Sequence, residues 1–436
     1  MIKKLVLVFV LVFTSYSYAQ QGTASPYSFY GIGSLKLKGT VENQSMGGLS
    51  IYNDSIHVNL RNPSSYAGEN VGIYPFSGQS RPVKFTVGGG YSSRSLKSSS
   101  GSDKASSVTF DYLALSIPLG KFGIGFGLLP YTSVGYKQES YNGDEITNRF
   151  EGEGGVNKVF FGLGYQIAKG LTAGIDFHYN FGNIQNSILN YQYDDGLPTQ
   201  YQTSESNRSD LSGLNVNIGV SYKTELKNDL ELVTSATYTP QSSLSSKNKR
   251  SLSTVIVSAS GQESVVNAVE VDLNAIGLQE TDLVLPSKFT FGAGLGKRRK
   301  WFVGAETTVF KASHFSNELF ATATTTHEDA YSLSLGGFYI PDYSSFDSYW
   351  KRIVYRAGFR REETGLNINN QSIREFGTSF GVGLPVGDAR LLSNINLGVE
   401  FGKRGTTNSN LIQENFINFQ LSLSLNDRWF QKRKFE

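Results

Sequence analysis

Period-two alternation, repeated along most of the chain, limits what this sequence can fold into more than any other feature. Leu171, Ala173, Ile175, Phe177, Tyr179 and Phe181 alternate with Thr172, Gly174, Asp176, His178, Asn180 and Gly182. The segments 214–222, 395–401 and 417–425 follow the same rule. Successive side chains of a strand point to opposite faces, so each segment has one apolar and one polar face. A soluble sandwich alternates too, and it is the connections that separate the two folds. Strands read near 83–92, 106–118, 122–137, 147–167, 171–183, 211–224, 230–240, 285–296, 301–311, 330–340, 352–361, 372–386, 391–402 and 415–426. Short connections (119–121, 168–170, 225–229, 297–300, 387–390 and the longer 341–351) alternate with long ones at 93–105, 138–146, 184–210, 241–284, 312–329, 362–371 and 403–414. An even strand count with loop length sorted by parity is what an outer-membrane barrel requires, and a sandwich has no reason for it. The reading is all-β: a transmembrane antiparallel β-barrel of about 14 strands, with both termini on the periplasmic side.

Composition agrees. Of 436 residues 39% are hydrophobic and 18% charged, against roughly 45–50% and about 25% in an ordinary soluble domain. Closing the sheet on itself pairs every backbone group, so an apolar outer face can meet lipid without any long hydrophobic run. The chain has no Cys, which excludes disulfide scaffolds, thiol catalysis and zinc ribbons. A net charge of +3 gives no field that implies nucleic acid. The start, Met1-Ile2-Lys3-Lys4, then the apolar run Leu5 to Phe13 and Ser17-Tyr18-Ala19, reads as a signal peptide over 1–19, cleaved before Gln20. Segment 20–82 precedes the barrel at 83–426, and 427–436 forms a periplasmic tail.

The pre-barrel segment carries Ser25-Pro26-Tyr27-Ser28-Phe29-Tyr30-Gly31, then Met46-Gly47-Gly48, then Asn62-Pro63-Ser64. With Gly127-Leu128-Leu129-Pro130-Tyr131 and Leu285-Pro286-Ser287-Lys288, these motifs resemble the long-chain fatty-acid transporter (FadL/TodX-like) family of outer-membrane barrels. Ser64 stands where that family's box has Ala. The resemblance implies a fourteen-stranded barrel with the N-terminal segment folded inside as a hatch, of which Met46, Gly47, Gly48, Asn62 and Pro63 are the motif. It also implies passive passage of a hydrophobic small molecule through a lateral opening in the third strand. Pro130 falls in that strand, where it cannot donate to a ladder and must mark a bulge or kink. The residues leave open whether that kink is a passage or only a bend. Some relatives are placed in protein secretion, so a non-transporting subunit of a secretion or assembly complex, with outer-membrane or periplasmic protein partners, is the alternative.

Asp176, His178, Glu306 and Arg356 take inward positions, with Phe302 and Phe338 as apolar lumen candidates. A polar lumen is the default for this architecture, and aromatics beside a plug more often pack than bind. No metal, cofactor or catalytic set is expected. His57, His178, His314 and His327 have no ligand spacing, and no Gly-x-Ser-x-Gly elbow stands on a strand–helix turn. Trp301, Trp350 and Trp429 fall near the short-turn rim, as an aromatic belt would place them.

Overall fold

The computed structural model describes residues 22–36, 39–54, 56–68, 82–258, 260–315, 325–386 and 393–427. The segment read as a signal peptide, Trp429 and nearly all of the tail lie outside them. The described residues of 82–427 form a closed antiparallel barrel of 14 strands, as the loop parity predicts. Its strands are β1 (Val83–Lys97), β2 (Ser102–Leu119), β3 (Phe122–Pro130 and Thr132–Asn142), β4 (Glu145–Ala168), β5 (Leu171–Asn190), β6 (Gln202–Glu225) and β7 (Leu230–Thr239 and Ser242–Val257). The second half is β8 (Glu280–Leu285 and Lys288–Lys297), β9 (Trp301–Phe310), β10 (Ala330–Tyr339), β11 (Val354–Ile368), β12 (Gln371–Val386), β13 (Ser393–Arg404) and β14 (Gln413–Asp427). Each pairs with its neighbour in sequence, and β1 closes the ring on β14, Val83 opposite Asp427.

The two faces divide as the alternation requires. Phe122, Phe126, Phe161, Phe177, Leu214, Phe291, Phe380 and Leu421 are exposed on the outside. Asp176, Asn217, Glu306, Arg356, Asn396 and Ser422 are buried within. Several segments read as loops are strand instead. β4 and β6 run to 24 residues each, although about 9–11 suffice to cross the bilayer core. Beyond the lipid neither face needs to be apolar, so a stretch such as Gln202–Asp210 looks like a solvated loop in sequence. The backbone ladder nevertheless continues there, pairing Gln202–Ser212 with Ser245–Val255. The strand Glu263–Glu270 adds to the same extension, pairing with β7 and exposing all its side chains.

The described residues of segment 22–68 lie inside the ring. They contain the strand Ser34–Leu35, a one-turn helix Val41–Gln44 and a 3-10 turn Pro63–Tyr66.

Candidate functional site: the wall break and the hatch that fills it

Pairing between β2 and β3 stops partway along the wall and does not resume. β2 and β3 are in register from Leu119↔Phe122 to Leu113↔Leu128, and no pair follows. On the β2 side Asp111 is an extra residue, because Gly88 faces Tyr112 while Gly89 faces Phe110. On the β3 side the strand breaks after Pro130. Pro130 has no N–H to offer, and Tyr131 N–H donates instead to Val156 O on β4 (2.7 Å). The break also switches faces. Gly125, Gly127 and Leu129 are buried before it, whereas Val134 and Tyr136 pack inward beyond it, with Ile32 of the hatch. A one-residue offset exchanges the two faces of a strand, which is how a bulge re-aims side chains.

The edge of β3 freed by this lapse is taken by the chain's own N-terminal segment. Ser34 and Leu35 pair with Ser133 and Thr132, and Lys36 N–H donates to Tyr131 O (2.9 Å). The Lys36 ammonium is also within electrostatic reach of Asp111 on the opposite lip. A cavity of about 200 Å³ adjoins the break. Tyr30, Leu285 and Phe315 line it together with Asp111, Glu375 and Arg404, so its surface mixes apolar and charged groups.

The rest of the hatch is fastened to the wall by buried polar contacts. Ser50 donates from both N–H and Oγ to Glu306 Oε2 (2.8 Å each), and Arg61 pairs with Glu306 Oε1 at 2.8 Å. Glu42 Oε1 accepts from Asn396 Nδ2 (2.6 Å) and Ser424 Oγ (2.9 Å). Asn62 caps the 3-10 turn, accepting from Ser64 N–H (3.0 Å), and its Nδ2 donates to Ser221 Oγ (3.0 Å) on β6. Lys84 Nζ donates to His57 O (2.7 Å), and His57 Nδ1 sits 2.6 Å from Asp54. Burial alone would push the Asp54 carboxyl up. The charge and hydrogen bonds of His57, with Lys84, outweigh this and hold it well below the usual carboxylate range.

Wall glycines make the fit possible. A Cβ on Gly358 would collide with Met46 and Gly47, and one on Gly125 or Gly162 with the Tyr66 ring. Gly47 and Gly48 themselves have φ of 70° and 90°, the left-handed region that favours glycine. Asn62 and Pro63 lie against Gly219 and Gly174 in the same way.

The sequence-predicted lumen residues do not converge on one pocket. Asp176 and His178 stand 3.9 Å apart on β5, with Tyr66 and Asn217 on the Asp176 carboxylate. Glu306 holds the hatch. Arg356 donates to Asn396 Oδ1 (3.1 Å). Phe302 and Phe338 flank Tyr52 of the hatch, with ring centroids at 4.9 and 4.8 Å. Sequence reasoning missed Glu42, Asp54 and Arg61, because an irregular segment has no periodicity to say which side chains reach the wall. It also missed Lys158, whose inward position follows from sharing the parity of Phe160.

Among the solved structures the fold recurs in the CymD monoaromatic hydrocarbon channel, at 14% identity and a TM-score of 0.53, covering 92% of this chain and 99% of that one. The Ralstonia pickettii toluene transporter TbuX matches at 13% identity and 0.57, covering 89% and 98%. A Pseudomonas aeruginosa FadL homologue matches at 9% and 0.54, covering 91% and 100%. No curated protein matches the sequence. The likeness to FadL-type barrels therefore holds at the level of fold. The BamG family model matches residues 1–436, and the chain belongs to the BamG family.

Proposed function

We propose that this barrel serves in the outer membrane as a non-transporting subunit of a protein secretion or assembly complex. The observation that carries the reading is that the chain fills its own wall break, with Ser34–Leu35 on the free edge of β3. Three further points support it. The hatch is tied across the lumen by buried ion pairs and hydrogen bonds, Arg61–Glu306 foremost. The cavity beside the break carries Asp111, Glu375, Glu400 and Arg404, whereas sites for hydrophobic molecules are mostly apolar. The strands of β4 to β7 continue past the lipid into an extension whose Val265, Val266, Val269 and Ile276 are exposed, a surface suited to a protein partner.

A second reading is favoured by the lapse of β2–β3 pairing itself: a passive channel in which a hydrophobic small molecule leaves through the wall at Pro130. The two are separated by reconstituting the mature protein and measuring uptake of toluene and of a fluorescent fatty acid. In parallel, a photo-crosslinker placed at Val266 in intact outer membranes reports protein neighbours. The subunit reading expects no uptake above protein-free vesicles and a discrete crosslinked adduct. Uptake that rises when residues 20–50 are deleted, with no adduct, would replace it with the channel reading.

A further inference from the structure

Charges buried in the lumen are almost all answered. Arg360 pairs with Glu362, Glu375 and Glu400 at 2.7 to 2.8 Å. Arg94 pairs with Glu414 at 2.7 Å and Lys223 with Glu231 at 2.8 Å. Two lysines break the rule. Lys158 on β4 is 4% exposed and has only the face of Tyr131, 4.2 Å from its Nζ. Lys288 on β8, half-buried, lines a second cavity together with Lys158, and its charge bears on both Lys158 and His178. Neither ammonium has an ion pair within 4.0 Å or a hydrogen bond among the described residues. Of the nearby carboxylates, Glu306 is engaged by Ser50 and Arg61. Asp176, hydrogen-bonded to the neutral Tyr66 and Asn217, bears on Lys158 from beyond 4.0 Å, so the two ammoniums face one carboxylate between them. The other charged groups on the cavity wall, Arg61, Arg360, Glu362 and Glu363, each stand in an ion pair.

A buried charge without a partner is costly, and proteins meet that cost with a counter-charge or a bound ion. The cavity that Lys158 and Lys288 share measures about 160 Å³. That is room for roughly five waters, or for a small oxyanion with part of its hydration shell. Besides the lysines it presents Asn215, Thr308 and His178, side chains that can donate to oxygen. We infer that Lys158 and Lys288 hold an oxyanion of the phosphate or sulfate class within the barrel, with Asn215 and Thr308 completing its shell. The site depends on neither reading of the barrel's function.

The test is unfolding of the purified, detergent-solubilised barrel, followed by its heat-dependent gel shift. It is run in inorganic phosphate, in sulfate and in chloride at matched ionic strength, with dodecyl phosphate as a separate arm. Phosphate and sulfate should raise the unfolding midpoint where chloride does not. Lys158→Met and Lys288→Met should each weaken the response about tenfold, and the double variant should abolish it. Asn215→Asp, which places a carboxylate in the cavity, should cancel the response and keep the barrel folded even if the methionine variants do not fold. Stabilisation by dodecyl phosphate alone would assign the oxyanion to an amphiphile's headgroup rather than to a free ion. A wild-type barrel indifferent to phosphate, sulfate and dodecyl phosphate alike, or a folded double variant that still responds, overturns the inference.

Discussion

Single residues decide how tightly the hatch can lie on the wall. Gly358 is the clearest case, because any side chain there would meet the Met46–Gly47 backbone. Gly358→Val should therefore destabilise the barrel by about 1–3 kcal/mol, the usual cost of overpacking, measured as a lower urea midpoint for unfolding. Asp54 gives a pH-dependent counterpart. Its carboxyl is depressed in the folded protein, so the stability it contributes is present above the ordinary value of 3.8 and is lost as pH falls through and below it. Wild-type protein should lose thermal stability between about pH 5 and pH 3, and Asp54→Asn should flatten that loss. Neither residue stands out in the sequence: Gly358 is one of 47 glycines, and Asp54 sits in a stretch with no period. What identifies Gly358 is a neighbour far along the chain, and what identifies Asp54 is an irregular turn that folds it onto His57 beside Lys84; composition carries neither.

Among the elements, the barrel strands were largely legible and the hatch was not. Alternation reports which face of a strand meets lipid, and loop parity reports the count, so β9, β10 and β14 lie close to where the pattern puts them. The third strand was read as one piece, 122–137, and is two, because the pattern carries on through Pro130 while the pairing does not. Two predictions belong at this level. Glu306→Gln removes the charge that half-buried Arg61 pairs with and should loosen the hatch by about 1–3 kcal/mol, read as faster proteolysis of segment 22–68. Arg61→Met with Glu306→Met should restore much of that protection. Since the chain has no native cysteine, Leu35→Cys with Thr132→Cys offers a clean probe of the hatch strand. These residues are directly opposite in register, and a disulfide should form in high yield if the strand stays on the edge of β3.

Taken as a whole, the molecule is a ring around a tether. Its extension past the lipid rests on the ladder of β4 to β7 and meets the hatch where Phe29 packs on Phe150, while Gly261 O near its tip accepts from Arg149 of the wall. Deleting 258–272 should preserve the heat-dependent gel shift of the folded barrel while removing the surface around Val266. The ring itself is closed by contacts of very long range: Thr86 and Ser424 face each other from 338 positions apart, and Ser424 reaches Glu42 of the hatch across 382. Pairings that distant form slowly, because a long loop must close before they yield anything. Residues 22–68 precede every barrel strand and β14 follows the other thirteen, yet the hatch bonds at once to β9, β13 and β14. That set of contacts is complete only when the seam between β1 and β14 is shut, so closing the wall and seating the plug stabilise one another.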